Sequence, residues 1–222
     1  IRHDCTVYLK TENLQVTGSF KVRGAYYKIS QLSDEEKAHG VIACSAGNHA
    51  QGVALAATKN GIKSVICLPD GAPISKVEAT KKYGARVELV RGVYDDAYQR
   101  ALELRDEKHY TFIHPFDDEN VIAGQGTIGL ELLEQLPEID AVVVPVGGGG
   151  LISGVAFAIK SLNPHCKVYG VQAAGAASMF NAVRDGRKET LDGVATIADG
   201  IAVKTPGDLT FELCSRYVDE MV

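Results

Sequence analysis

Short runs of apolar residues alternate along the chain with longer segments in which apolar residues recur at helical spacing. The short runs are typical of strands buried on both faces, and the longer segments are typical of helices that cross over between parallel strands. The predicted strands span residues 7–9, 41–44, 64–68, 86–90, 111–113, 141–146 and 167–171. The predicted helices span residues 25–32, 49–59, 74–83, 94–108, 121–136, 151–162, 176–183 and 209–217.

This alternation predicts an α/β protein with mostly parallel sheets that helices cover on both faces. Two strand–loop–helix units that carry glycine lie about 100 residues apart, which is near a typical domain length. We therefore expect two three-layer α/β/α domains with the ligand site in the cleft between them. Gly124 and Gly126 lower the helix propensity early in the 121–136 segment.

The composition is that of an ordinary globular protein, with 222 residues of which 45% are hydrophobic and 23% are charged. A net charge of −5 provides no basic surface for nucleic acid. No apolar run approaches the roughly 20 residues that span a bilayer, and the start shows no signal-peptide pattern. We expect neither a nucleic-acid partner nor a membrane partner.

The five cysteines are scattered and form no Cys-x-x-Cys pair. An odd number of thiols, most of them inside apolar runs, argues against a disulfide framework and a metal site and favours a reducing cytoplasm. The sequence starts at Ile1, close to a predicted strand, and stops just after a predicted helix. We interpret it as a piece of a longer protein.

One lysine has an unusual place in this pattern. The turn signal Thr17-Gly18-Ser19 puts Lys21 in the first turn of the helix that follows. A positive charge there costs about 0.3–1 kcal/mol, because the N-terminus of a helix is itself partly positive. An isolated lysine of this kind is usually a solvated surface residue, but a bound anion, or reaction with an aldehyde, would remove the cost.

Two loops that follow predicted strands are suited to bind anions. Residues 45–48 form a turn before an alanine-rich helix, and residues 147–150 are four consecutive glycines before another helix. In both, free backbone N–H groups face the carboxyl edge of a parallel sheet. The glycine loop is not a dinucleotide fingerprint, because Ser153 stands where the last glycine belongs, and it lacks the Gly-Lys-Ser/Thr end of a Walker loop.

These features together indicate a chemistry. A cofactor with a phosphate at one end and an aldehyde at the other would bind the glycine loop and Lys21. A substrate carboxylate would bind the 45–48 turn. This combination indicates pyridoxal phosphate acting on an amino acid, with Lys21 bonded to the cofactor.

Five motifs resemble the signatures of the threonine dehydratase/serine racemase family. They are TGSFKVRGA at 17–25, SAGNHAQG at 45–52, HPFDD at 114–118, GQGT at 124–127 and VPVGGGGLISG at 144–154. This family comprises pyridoxal-phosphate enzymes of the tryptophan-synthase-β fold type (fold type II). The motifs occur in the family's order and cover nearly the whole chain, so the resemblance is specific.

The resemblance implies a role for each matching residue. Lys21 would carry the cofactor and take the α-proton of the substrate, Phe20 would pack beside the cofactor ring, and Asn48 would bind the ring hydroxyl. The phosphate would be held by Gly147, Gly148, Gly149, Gly150 and Leu151. The substrate carboxylate would be received by the loop residues Ser45, Ala46, Gly47, Asn48 and His49.

Four positions distinguish the chain from serine racemases. Ala46 replaces the second serine of their Ser-Ser-Gly-Asn-His loop, so no acid faces the substrate from that side and elimination should dominate. Gln172 and Ser178 stand where those racemases carry the carboxylates that bind a divalent cation, so we expect no metal. Phe116, where racemases tend to carry a polar residue, also favours a threonine dehydratase.

The resemblance predicts a lyase that deaminates L-threonine to 2-oxobutanoate and ammonia, and also L-serine to pyruvate. The alternatives are a serine racemase or serine dehydratase, a β-replacement enzyme of the same fold, and an inactive cofactor-binding fragment. A homo-oligomer, either dimer or tetramer, is also implied, and a nucleotide effector stays open.

The resemblance also predicts a domain arrangement. Residues 1–40 would begin a large cofactor domain, residues 41–120 would form a small substrate domain, and residues 121–222 would continue the large domain. The family's later Glu-Gly-Ala-Gly and Ser-Gly-Gly-Asn segments do not occur in this sequence. We therefore expect one wall of the cofactor pocket to be missing from this span.

Overall fold

Two parallel sheets organise the computed structural model, which describes residues 5–222. Residues 1–4, the start of the first predicted domain, lie outside the described residues. The first sheet, in the order β3-β2-β1-β4, contains β1 (Val41–Cys44), β2 (Ser64–Pro69), β3 (Arg86–Val90) and β4 (Thr111–Phe112). The second, in the order β5-β6-β7, contains β5 (Ala141–Pro145), β6 (Lys167–Val171) and β7 (Glu220–Met221).

Helices connect the strands and cover the sheets, and this confirms the predicted α/β class. They are α1 (Lys21–Ser30), α2 (Asp34–His39), α3 (Asn48–Lys59), α4 (Ile74–Lys82), α5 (Tyr94–Lys108), α6 (Glu119–Gln135), α7 (Gly150–Leu162), α8 (Ser178–Asp185) and α9 (Asp208–Tyr217). Short 3-10 turns lie at Glu12–Leu14, Ala174–Ala176 and Asp199–Ile201. Within the described part of the chain, no helix combines the length and apolarity needed to cross a membrane.

The first sheet is buried on both faces, which explains why β1 is apolar at every position. Val41 and Ala43 point into a core formed with α1, α3 and α4, while Ile42 and Cys44 point into a second core formed with α5. Residues alternate between the faces of a strand, so only a strand covered on both sides needs four apolar residues in a row.

The second sheet has one covered face within residues 5–222. Val142 and Val144 of β5 are buried against a core that α6, α7 and α9 share, whereas the intervening Val143 is 64% exposed. The unbroken apolar sequence of this strand predicts burial on both faces, and the structure shows it on one.

Helix α1 lies at the junction of the two sheets. Its residues Ala25 and Ile29 belong to the core of the first sheet. Phe20, directly before the helix, packs against the core of the second. The helix contacts both α3 and α6. The residue that begins α1 is therefore placed where the two sheets meet.

Three elements differ from the sequence prediction. The predicted strand at 7–9 is wrong: Val7, Tyr8 and Leu9 pair with no strand of the described chain and are 71%, 65% and 83% exposed. Helix α2 was missed, although Ser33 and Glu36 form a reciprocal capping box at its start. Strand β7 was also missed, because it is two residues long and is defined by its pairing with β6.

Candidate active site

Lys21 is the first residue of α1, in the helical turn that the sequence predicts. Its backbone N–H donates to Ser19 Oγ at 3.3 Å, and its Nζ donates to the carbonyl oxygen of Pro115 at 2.6 Å. Nζ also lies 5.5 Å from the centroid of the Phe20 ring. Burial of the amino group lowers the pKa of Lys21 to about 8. A fixed amine that loses its proton this readily is a good nucleophile for an aldehyde.

The 45–49 turn lies beside Lys21 because α3 approaches α1 closely. A Cβ at Gly52 would lie 3.1 Å from the backbone carbonyl of Lys21, so only glycine fits this crossing without movement. Ser45 Oγ accepts a hydrogen bond from the Gly47 N–H at 3.2 Å and shapes the turn. Ala46 packs against the core of the first sheet, and Asn48 is exposed at the start of α3.

The imidazole of His49 has a structural partner. His49 is buried, and its Nε2 lies 2.8 Å from the carbonyl oxygen of Ile113. Because a carbonyl oxygen only accepts, Nε2 carries the proton. Burial first, and the charge of Lys21 second, lower the pKa of His49 to about 3, so the ring stays neutral. Any contact of His49 with a carboxylate would therefore come from its backbone N–H at the helix start.

The glycine loop follows β5 and leads into α7, as the sequence predicts. Side chains surround it so tightly that a Cβ at Gly148 would lie 2.5 Å from the ring of Phe116. Gly149 has φ of 96°, a left-handed conformation that glycine adopts without strain. Both residues are buried, and within residues 5–222 their N–H groups donate to no protein acceptor. Buried amides without a protein partner fit a bound anion.

The turn formed by residues 114–117 joins the lysine to the glycine loop. Pro115 accepts from Lys21 Nζ, and the Phe116 ring contacts the loop. His114 Nδ1 closes the turn by accepting from the backbone N–H groups of Asp117 at 2.7 Å and Phe116 at 3.3 Å. Burial lowers the pKa of His114, which favours the neutral ring that this acceptor role requires.

Two side chains from later in the sequence donate hydrogen bonds to carbonyl groups of the glycine loop. Thr210 Oγ1 donates to Gly148 O at 2.6 Å, and Gln172 Nε2 donates to Gly147 O at 3.3 Å. No local motif marks Thr210, which lies 62 residues beyond Gly148. Gln172 Oε1 also accepts from the Phe180 N–H at 2.8 Å, so its amide is engaged at both ends.

Fold and site together define a class of protein: a parallel α/β protein in which a half-buried lysine and a loop of free amides suit a phosphorylated aldehyde. The chain belongs to the family of pyridoxal-phosphate dependent enzymes, whose family model matches residues 2–222. This confirms the family resemblance and, with it, the cofactor expected from the lysine and the glycine loop.

The chain is similar to several threonine-deaminating enzymes. It is 60% identical over 216 residues to an L-threonine ammonia-lyase of Thermotoga maritima. The match covers 97% of this chain and 54% of that protein. It is 49% identical to the L-threonine dehydratase catabolic TdcB of Escherichia coli, in a match that covers 97% of this chain and 66% of that protein.

The chain is also similar to solved structures of a threonine deaminase and a serine racemase. The processed form of threonine deaminase isoform 2 from Solanum lycopersicum matches with a TM-score of 0.95 at 47% identity, over 97% of this chain and 59% of that chain. Maize serine racemase matches with a TM-score of 0.92 at 41% identity, over 95% of this chain and 64% of that chain. The chain thus spans about half to two thirds of the length of these relatives.

Proposed function

We propose that this chain carries the active site of a lyase that deaminates L-threonine to 2-oxobutanoate and ammonia, and L-serine to pyruvate. The observation that carries the proposal is the half-buried Lys21 amine, which donates to Pro115 O in the turn whose Phe116 ring contacts the glycine loop. The threonine-deaminating relatives support the substrate and the reaction. Amino-acid substrates present the carboxylate and α-proton that this arrangement suits.

The residues present fit pyridoxal phosphate. We infer that Lys21 Nζ holds the aldehyde carbon and that the free amides of the 147–151 loop hold the phosphate. Phe20 would pack beside the ring, and Asn48, exposed at the start of α3, would reach the ring hydroxyl. When bound, the cofactor supplies an electron-withdrawing ring that stabilises negative charge on the α-carbon.

The chain's own groups would then bind the substrate and move its proton. The free N–H groups at the start of α3 would bind the carboxylate and turn the α-C–H bond towards Lys21. Lys21 Nζ would take the α-proton, since its pKa of about 8 leaves part of it neutral near pH 7. The C–O bond to the β-carbon would then break, and the hydroxyl would leave with the bonding electrons.

Attachment of pyridoxal phosphate to Lys21 is expected to speed up with pH. Only the neutral amine attacks the aldehyde, so the rate should fall about tenfold per pH unit below 8 and level off above it. Stopped-flow absorbance at a series of pH values measures this rate. A midpoint near pH 10, the ordinary lysine range, would show that burial does not activate Lys21.

Ala46→Ser is expected to introduce racemisation of L-serine. A serine hydroxyl there would place a proton donor opposite Lys21, as the family resemblance implies, and a positioned acid is worth about 100-fold or more. Chiral chromatography of D-serine measures the change, with Ala46→Gly as the control that alters the side chain without adding an acid. Serine racemisation by the unmodified chain, the second candidate that maize serine racemase supports, would appear in the same assay.

The predicted homo-oligomer and reducing cytoplasm stay part of the proposal. Leu130 on α6 and Phe157 and Leu162 on α7 are 49%, 50% and 63% exposed, which suits a surface that another chain covers. Four described cysteines are buried as free thiols, in keeping with a reducing compartment. That the chain binds no metal stays a prediction, and whether a nucleotide acts as effector stays open.

A further inference from the structure

Side chains that hydrogen-bond to the carbonyl groups of the glycine loop also orient its peptide N–H groups. A trans peptide is planar, so its C=O and the following N–H point in opposite directions. Thr210 Oγ1 holds Gly148 O, which turns the Gly149 N–H away from Thr210. Gln172 Nε2 holds Gly147 O and in the same way turns the Gly148 N–H away from Gln172.

Thr210 is itself fixed in place. Its side chain is fully buried, and its backbone N–H donates to Asp117 Oδ1 at 3.1 Å. The second carboxylate oxygen, Oδ2, accepts from the Asp208 N–H at 3.0 Å. Asp117 thus occupies the start of α9, where a negative charge is stabilised by the helix dipole and by free N–H groups.

Asp117 also belongs to the turn that holds the lysine. Its N–H donates to His114 Nδ1 at 2.7 Å, and two residues earlier Pro115 O accepts from Lys21 Nζ. One run of hydrogen bonds therefore links the lysine-binding turn to Asp117, to Thr210 and to the Gly148 carbonyl. A rigid cofactor that binds at both ends requires the distance between lysine and loop to be set in this way.

We propose that Thr210 is a positioning residue for the cofactor phosphate. It orients the Gly148–Gly149 peptide so that the Gly149 N–H donates to the phosphate, and Asp117 acts by holding Thr210. The inference rests on the proposed function for the identity of the cofactor. It concerns only the phosphate end, because the Thr210 hydroxyl donates to Gly148 O, whereas Lys21 Nζ donates to Pro115 O.

The test compares Thr210→Val with the unmodified chain for two aldehydes. Valine keeps the shape of threonine and removes the hydroxyl. Pyridoxal phosphate and pyridoxal, which lacks the phosphate, are each titrated, and the lysine-dependent visible absorbance gives both dissociation constants. Thr210→Ser is the matched control that restores the hydroxyl. Urea unfolding and circular dichroism establish that each variant is folded.

Thr210→Val should weaken pyridoxal phosphate binding about 10- to 100-fold, the usual effect of one hydrogen bond to a charged group. Pyridoxal binding should stay within about twofold of the unmodified chain, and Thr210→Ser should keep most of the affinity for pyridoxal phosphate. Equal weakening for both aldehydes would mean that Thr210 only supports the fold. Unchanged affinity for pyridoxal phosphate would overturn the proposal outright.

Asp117→Asn provides a second test, which also serves if Thr210→Val fails to fold. It should weaken pyridoxal phosphate binding by a smaller factor and leave pyridoxal binding unchanged. In the Thr210→Val background it should add almost nothing, because Asp117 acts through Thr210. Additive losses in the double variant would show that Asp117 acts by another route.

The outcomes separate this inference from the proposed function. Binding of pyridoxal phosphate that depends on both Lys21 and Thr210, without 2-oxobutanoate from L-threonine, would remove the proposed reaction and keep the inference. If the chain produces 2-oxobutanoate and its affinity for pyridoxal phosphate does not depend on Thr210, the proposed reaction stands and the inference is overturned. An unmodified chain that forms no lysine-dependent band would overturn both.

Discussion

Lys21→Ala is expected to abolish the deamination of L-threonine, with a loss of about ten-thousand-fold or more. The substitution removes both the covalent attachment point of the cofactor and the base that takes the α-proton. The visible absorbance band of lysine-bound pyridoxal phosphate should disappear together with the formation of 2-oxobutanoate. Absorbance spectroscopy and a 2-oxobutanoate assay on the same samples measure the two effects.

Lys59→Ala is the matched control for this substitution. Lys59 is an exposed lysine at the end of α3, so its loss should change neither the absorbance band nor the activity. A band that persists in Lys21→Ala would show that the cofactor uses another lysine. A band that depends on Lys21 without any product would mean that the chain binds the cofactor and does not catalyse this reaction.

Gly154→Ala is expected to destabilise the fold by about 1–3 kcal/mol or more. Gly154 lies in α7 where this helix crosses α6, and a Cβ there would overlap the carbonyl oxygen of Ile122 and lie 2.6 Å from Gly126 N. These neighbours are backbone atoms inside a helix, so they cannot turn aside as a side chain would. Either the helices separate or the α6 hydrogen bonds distort.

Urea unfolding measures this loss, with Gly71→Ala as the control. A Cβ at Gly71 would meet no atom within 4 Å, and its φ is not positive, so alanine should change stability little. The expected result is a lower midpoint with an unchanged slope for Gly154→Ala. Equal stability of the two variants would mean that α6 and α7 can move apart freely.

Local patterns predicted most of the elements and the two ends of the site. Unbroken apolar runs predicted β1 and β5, and α5 has the bounds that its periodicity predicts. A turn signal placed Lys21 at a helix start, and four adjacent glycines marked the second loop. Each of these signals lies within a few residues of the feature it predicts.

Features that depend on distant contacts escaped prediction. Gly126 counts as a weak helix former in the sequence, and in the structure it lies where α7 crosses α6. The apolar run at 7–9 resembles a strand and finds no strand to pair with in the described residues. Thr210 contacts Gly148 only after the chain has passed through α7, β6 and α8, and no local sequence pattern indicates so distant a contact.

The hydrogen bond from Thr210 to Gly148 also sets an order of events during synthesis. A ribosome that adds about 5–20 residues per second needs about 3–12 seconds to proceed from Gly148 to Thr210. The glycine loop therefore emerges from the ribosomal exit tunnel several seconds before α9, the helix that contains Thr210. Full phosphate affinity in a nascent chain should therefore appear only once α9 has emerged, long after Lys21 is exposed to free cofactor.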